Sequence, residues 1–305
     1  MTGTGSVAME SGPMRSWLLI PADSEKKLSL APNTGADVLV IDIAGVRADR
    51  KAAARAQARQ WLAANRQTLV AGRDFKRWVM ISPLGTPNWR ADLEAAVAGG
   101  CHGIIQTGVS GADQTQTLAA DLYELEQAHS VEHESVQICP LLGEDPAGAL
   151  NVARYADASI PRLGGLAWSA SGLLEGLGVM RGASGASADA DAVQALRANI
   201  VLTARARGVF ALESAVHSGR KTDEFEIVVA NAAANGFDGM FATHPRQVGA
   251  INAAFGSEGK DVRRAAEIVA KFDAEPGATS VEYDGRPVLR THLPRLRRLA
   301  LSGGR

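Results

Sequence analysis

Short, mostly apolar runs alternate along this chain with longer stretches whose apolar residues recur every three or four positions. The short runs are Trp17–Pro21, Asp37–Asp42, Arg77–Ser82, His102–Gln106, Val136–Leu141, Gly164–Trp168, Gly208–Leu212 and Phe237–Thr243. Near-continuous apolarity over so few residues fits strands buried on both faces, as in a parallel sheet. Between them lie segments of helical period: Ser24–Leu30, Asp49–Asn65, Asn88–Gly99, Asp113–His129, Asp189–Gly208 and Thr222–Asn235. Asp49 is placed to cap the second of these, and a Gly pair stops the third. Leu118, Leu122 and Leu125 share one face of the fourth; Val193, Leu196, Ile200 and Ala204 share one face of the fifth. Eight βα units between Trp17 and Thr243 predict an α/β fold, a (β/α)8 TIM barrel. A doubly wound open sheet would want a Gly-rich dinucleotide turn after the first strand, and Pro21-Ala-Asp-Ser-Glu25 is not one.

Two more helical segments follow, Arg246–Phe255 and Lys260–Phe272. Beyond a linker at Asp273–Ser280, Val281–Val288 reads as a hairpin on an Asp-Gly turn, and a last helix is expected over Leu293–Leu301. The expected organisation is a disordered leader over 1–14, a barrel with extra helices over 15–272, and a tail over 273–305. That tail is too small for a core of its own, so it is expected to pack on the barrel or on a neighbouring subunit. Arg181–Ala190, rich in Gly, Ala and Ser, reads as a flexible loop at the active face, either a lid or plain surface.

Composition narrows the function. Hydrophobic residues are 46% of 305, enough for a full core without metals or disulfides. Lys plus Arg number 32 against 33 acids, so there is no basic excess and nucleic acid is not expected as a partner. The arginines at 290, 295, 297, 298 and 305 read as a solvated face. Cys101 and Cys139 form neither a disulfide framework nor a metal spacing, which fits a reducing cytoplasm. No run of 18 apolar residues occurs, so no membrane span is expected.

Barrel enzymes work at the carboxyl ends of their strands. Here those ends carry Asp23, Asp42, Ser82, Gln106, Glu144, Ser169 to Gly172, Glu213 and His244. Glu144 follows the fifth strand and directly precedes a helix start, with Asp145 as N-cap and Pro146 at the first helical position. It is either a site carboxylate or a solvated loop acid. Asp23 is either a site acid or a helix cap. Asp42 is either catalytic or the partner of a base such as Arg15. His244 precedes Pro245 and is either chemical or capping.

Several motifs then combine. Arg15-Ser-Trp-Leu-Leu-Ile-Pro-Ala-Asp-Ser-Glu-Lys-Lys27, Gly35-Ala-Asp-Val-Leu-Val-Ile-Asp42, Asp49-Arg-Lys51, Pro83-Leu-Gly-Thr-Pro87 and Gly239-Met-Phe-Ala-Thr-His-Pro-Arg-Gln247 occur in this order. Together they resemble the citrate lyase beta-subunit family, within the HpcH/HpaI aldolase superfamily, over nearly the whole chain. The resemblance implies a Mg2+-dependent carbon–carbon lyase acting on an acyl-CoA thioester or small 2-oxo acid through a metal-stabilised enolate. It further implies a homo-oligomer, a trimer or a multiple of one. Carried over by position, Glu144 is catalytic and binds the metal, Asp42 is catalytic, and Arg15, Ser82 and His244 bind substrate.

The departures from that pattern lie at the site. Gly172 stands where the family's second metal ligand, an Asp, is found, and Ala44-Gly45 replaces a Glu-Asp pair. Met80 aligns with a substrate-binding Arg and Gly108 with a Lys. Glu213 and Glu175 are the remaining candidates for a substitute metal ligand. Two functions are therefore carried forward: a lyase with a degenerate site, and a non-catalytic homologue that binds a partner subunit or a small ligand.

Overall fold

The computed structural model describes residues 13–66, 75–179, 190–216, 222–256, 258–293, 296–297 and 300. Eight parallel strands close into one barrel in chain order: β1 Ser16–Pro21, β2 Val38–Asp42, β3 Lys76–Ile81, β4 Gly103–Gln106, β5 Gln137–Leu142, β6 Gly165–Trp168, β7 Phe210–Glu213 and β8 Gly239–Ala242. β8 pairs back on β1, with Trp17 opposite Phe241, so the barrel unit has no free edge. The alternation of side chains along each strand sorts its residues. Trp17, Val40, Trp78, Met80, Leu141 and Phe241 point inward and fill the interior, where the rings of Trp17 and Trp78 meet edge to face at 4.8 Å. Their neighbours in sequence, such as Ile41, Val79 and Ile104, point outward and are fully buried under the helices.

The connecting helices are α1 Glu25–Leu30, α2 Lys51–Ala64, α3 Trp89–Gly99, α4 Ala112–Ala128, α5 Pro146–Leu150, α6 Ala170–Gly176, α7 Asp191–Arg207 and α8 Thr222–Ala234. α9, Pro245–Phe255, follows β8. The predicted ends hold where a capping side chain enforces them. Asp145 accepts from the Gly148 N–H at 2.5 Å and starts α5, and Ser169 accepts from the Gly172 N–H at 3.0 Å and starts α6. Asp49 does not cap α2. It lies inside a 3-10 turn, Ala48–Arg50, and its carboxylate is turned to Arg47 at 3.1 Å.

The chain divides into two compact units, and the barrel unit spans Met14–Asn252. Ala253–Arg305 belongs to the other, so α10, Glu258–Ala274, groups with the tail rather than with the barrel to residue 272. The tail does have a small core: Ile268 and Phe272 of α10 pack with Val281, Val288 and Leu293. The helix supplies the apolar face that the hairpin alone lacks. β9 Ser280–Tyr283 and β10 Arg286–Leu289 form the expected hairpin, with Asp284 and Gly285 at φ 51° and 70° as a type I′ turn requires. Most of the leader, nearly all of the Gly-Ala-Ser loop and parts of the last helix lie outside the described residues. No helix among the described residues is long and apolar enough to cross a membrane.

Candidate active site

The mouth at the carboxyl ends of the strands is built around two acids. Asp42 is the last residue of β2 and shares the inward side with Val38 and Val40. Its Oδ1 accepts from the Gly45 N–H at 2.8 Å. A Cβ at residue 45 would lie 2.7 Å from Asp42 Oδ2, so a side chain there would displace that carboxylate. Glu144 stands two residues beyond β5, half-buried, and its Oε2 accepts a short bond from the Gly108 N–H. Gly108 has φ +64°, and a Cβ there would meet Pro83 Cβ at 2.5 Å, so a Lys cannot take its place without moving the chain.

Burial pushes both carboxyls above the ordinary acid range. For Glu144 the Gly108 N–H opposes the shift, while the charges of Asp145 and Asp42 add to it. For Asp42 the Gly45 N–H and the Lys51 charge oppose it. The Asp42 charge thus reaches Glu144 across the mouth, while Asp23 is the acid that adds to the shift of Asp42.

Gly172, on the first turn of α6, lies directly against Glu144. A Cβ at residue 172 would be 3.0 Å from Glu144 Cα and 3.3 Å from its Cγ. The place where a second carboxylate would join Glu144 is thus held by a residue with no side chain. Mg2+ wants several oxygen ligands in octahedral array, with one or two carboxylates among them. Among the described residues no three His, Cys, Asp or Glu are grouped to hold a metal. The residues present do not fit a tightly held Mg2+.

Three residues expected to bind substrate are engaged elsewhere. Arg15 precedes β1, at the opposite end of the barrel from the mouth. Its guanidinium pairs with Asp37 at 2.7 Å, not with Asp42, because Asp37 likewise leads into β2 at that end. Ser82 is buried; its hydroxyl lies 2.6 Å from both Lys51 Nζ and Asp92 Oδ2. His244 is exposed and its Nδ1 accepts from the Arg246 N–H at 3.1 Å, a capping role at the start of α9.

The two substitute ligands also fall away. Glu213 is the last residue of β7 and next to inward Leu212, so it points outward. Its oxygens are taken by Arg197 of α7 at 2.6 Å and by the Trp168 indole and Ser214 N–H at 2.8 and 2.9 Å. Glu175 is exposed on α6. Asp23 forms an ion pair with Arg50 at 2.7 Å. Both thiols are buried, and Cys101 is pushed up to about 12 by burial, so neither is a nucleophile at neutral pH.

Sequence reasoning missed Lys51. Its Nζ is buried beside the mouth and donates to the carbonyls of Ile43 and Ala44 at 2.8 and 3.1 Å and to Ser82. Asp92, fully buried on α3, balances its charge together with that of Arg55. This cluster holds the turn that carries Asp42. Its sequence signal is the placement of Lys51 and Asp92 on buried helix faces otherwise made of Ala, Leu, Val and Gly.

Known proteins place this geometry. A (3S)-malyl-CoA thioesterase of Cereibacter sphaeroides is 29% identical over 292 residues, covering 94% of this chain and 93% of its own. A citrate lyase subunit beta-like protein of Mycobacterium tuberculosis is 28% identical over 270 residues, covering 87% and 88%. Among solved structures, CitE of M. tuberculosis in complex with magnesium, acetoacetate and coenzyme A superposes with a TM-score of 0.69 at 25% identity, over 97% of this chain and 99% of that one. The sequence profile of one family matches residues 15–245, from the arginine before β1 to the start of α9. With the closed barrel and the strand-end motifs in register, this chain belongs to the HpcH/HpaI aldolase/citrate lyase family.

Proposed function

We propose that this chain binds an acyl-CoA thioester or a small 2-oxo acid at the barrel mouth and is a carbon–carbon lyase of reduced power. The observation that carries this is the placement of Asp42 and Glu144 at the carboxyl ends of β2 and β5 of a closed barrel, each held by a glycine N–H and each raised above its ordinary range by burial. A carboxyl raised toward neutrality is suited to acid–base work. In such a cleavage a base takes the hydroxyl proton of a β-hydroxyacyl group. The bond between the α and β carbons breaks, and its electron pair stays on the thioester side as an enolate. Glu144 is the proton-handling group in this reading, with Asp42 beside it.

The enolate needs positive charge or preorganised donors at its oxygen, usually the largest catalytic contribution. Lys51 is turned to backbone carbonyls, and the Gly108 N–H is already committed to Glu144. Mg2+ would find no group of three acidic or imidazole ligands among the described residues and would bind weakly. Turnover is therefore expected well below the roughly 10 per second of an ordinary enzyme. The names of the relatives and the coenzyme A in the CitE complex support the thioester class. The purified chain is tested on β-hydroxyacyl-CoA thioesters, malyl-CoA and citryl-CoA included, by chromatography of the CoA products. Slow cleavage lost in Glu144→Gln supports the proposal; cleavage indifferent to Glu144 refutes it.

A second reading is a non-catalytic homologue that binds a partner subunit or small ligand. Met80, Gly108 and Gly172, neutral at three positions where the family carries charge, favour it. Thioester binding without any turnover would decide for this reading. A homo-oligomer, a trimer or a multiple of one, belongs to either reading, and sedimentation velocity tests it.

A further inference from the structure

We infer that the acyl group accepted at the mouth is neutral and apolar at its far end, not a dicarboxylate, and that Met80 is the residue that sets this. The inference rests on the proposal that the mouth takes a CoA thioester, and it narrows the substrate class.

Met80 is register-paired with Asp42 on β2 and with Ile105 on β4, so it stands at the level of the mouth acid. It belongs to the interior cluster, yet it and Leu141 are 9% and 7% exposed where Trp17, Val40 and Trp78 below them are at 0–1%. Half-buried Leu19, Ala44 and Ala215 pack against the same cluster. The floor of the mouth is thus thioether and hydrocarbon.

The charges around that floor are negative. Asp42 and Glu144 are both half-buried there. Two cations at this end are already engaged: Lys51 with two carbonyls, Ser82 and Asp92, and Arg50 with Asp23. A substrate carboxylate on that floor would lose its water and lie beside two acids, with Lys51 and Arg50 already committed. A methyl group in its place would be buried against Met80 and Leu141 with nothing unpaired.

Butyryl-CoA and succinyl-CoA test this, since they differ only in a terminal methyl or carboxylate. Calorimetry on the intact wild-type chain, with free CoA as control, should find butyryl-CoA bound about tenfold or more tightly than succinyl-CoA, the scale of a like-charge penalty in a partly buried site. Met80→Arg, with its fold verified by circular dichroism, should narrow or reverse that preference. Equal or tighter binding of succinyl-CoA by the wild type overturns this inference alone. Failure of both thioesters to bind more tightly than CoA overturns it together with the reading it rests on. A folded Met80→Arg chain with the preference unchanged removes Met80 as the determinant.

Discussion

The sharpest expectation concerns residue 172. Gly172→Asp would put a carboxylate beside Glu144, at the third helical position of α6. The backbone there is ordinary helix, so a side chain is tolerated. Leaving glycine behind gains about 0.5–1 kcal/mol, and an acid in a first helical turn gains about 0.3–1 kcal/mol. Against this stand the 3.0 Å approaches of the new Cβ to Glu144 Cα and Ser169 Oγ. Such crowding costs about 1–3 kcal/mol, so stability should change little. The effect on metal is larger. A charged hydrogen-bonding partner contributes about 1.5–3 kcal/mol net, which is about 10- to 100-fold in affinity. Mg2+ titration by calorimetry should show that tightening in Gly172→Asp. Adding Glu144→Gln should erase it, because neighbouring ligands act as a unit and their effects do not add. The reasoning is refuted by a folded Gly172→Asp chain whose Mg2+ affinity matches wild type, or by a wild type that binds Mg2+ tightly with Glu144 uninvolved.

Three further outcomes are expected. Glu144 has its folded pKa raised above its ordinary 4.5, so the stability it contributes is present below that pH and lost as pH rises through the folded value; Glu144→Gln should therefore raise Tm at pH 7, with the gain vanishing at pH 4 in parallel thermal melts. Lys51→Met leaves Asp92 short of a cation and two carbonyls unpaired, so urea unfolding should show a loss of about 3–5 kcal/mol; a loss below about 1 kcal/mol would remove the buried cluster as a stabilising feature. Glu213→Gln breaks the Arg197 pair and should cost about 1–3 kcal/mol of stability while leaving Mg2+ affinity where it was; a fall in Mg2+ affinity would return Glu213 to the list of metal ligands.

The barrel was legible because both of its signals are periodic. Strands buried on both faces leave unbroken apolar runs, and the helices between them show a stripe every three to four residues. Local side-chain chemistry was legible too: Asp145, Ser169 and the Asp284-Gly285 turn act on backbone within three residues of themselves. The misplacements share a cause. Ser82 does directly follow a strand, but whether its hydroxyl faces a substrate or a buried lysine depends on Lys51, 31 residues away. Arg15 precedes a strand and so stands at its amino end. Glu213 lies at the right end of β7, but one step in register turns it out of the barrel toward Arg197. The tail's core depended on α10 pairing with the hairpin, which neither segment announces alone.

The four neutral residues at the mouth are not equivalent losses. At Gly45 and Gly108 the backbone itself serves the acids. Each donates its N–H to an acid, Gly45 to Asp42 and Gly108 to Glu144, and each sits where a Cβ would collide with that arrangement or with Pro83. Partly buried carboxylates must find donors, and main-chain N–H groups supply them here. Gly108, with φ +64° and its Cβ position against Pro83, is therefore built into the present geometry, whereas a side chain at residue 45 would displace only the Asp42 carboxylate. Gly172 and Met80 are different. Gly172 has room for a side chain at the cost of a few tenths of an ångström, and Met80 fills the interior by hydrophobic contact alone. The mouth thus separates into a part reorganised around backbone donors and a part where single side chains still decide between metal and none, and between a charged and an apolar acyl group.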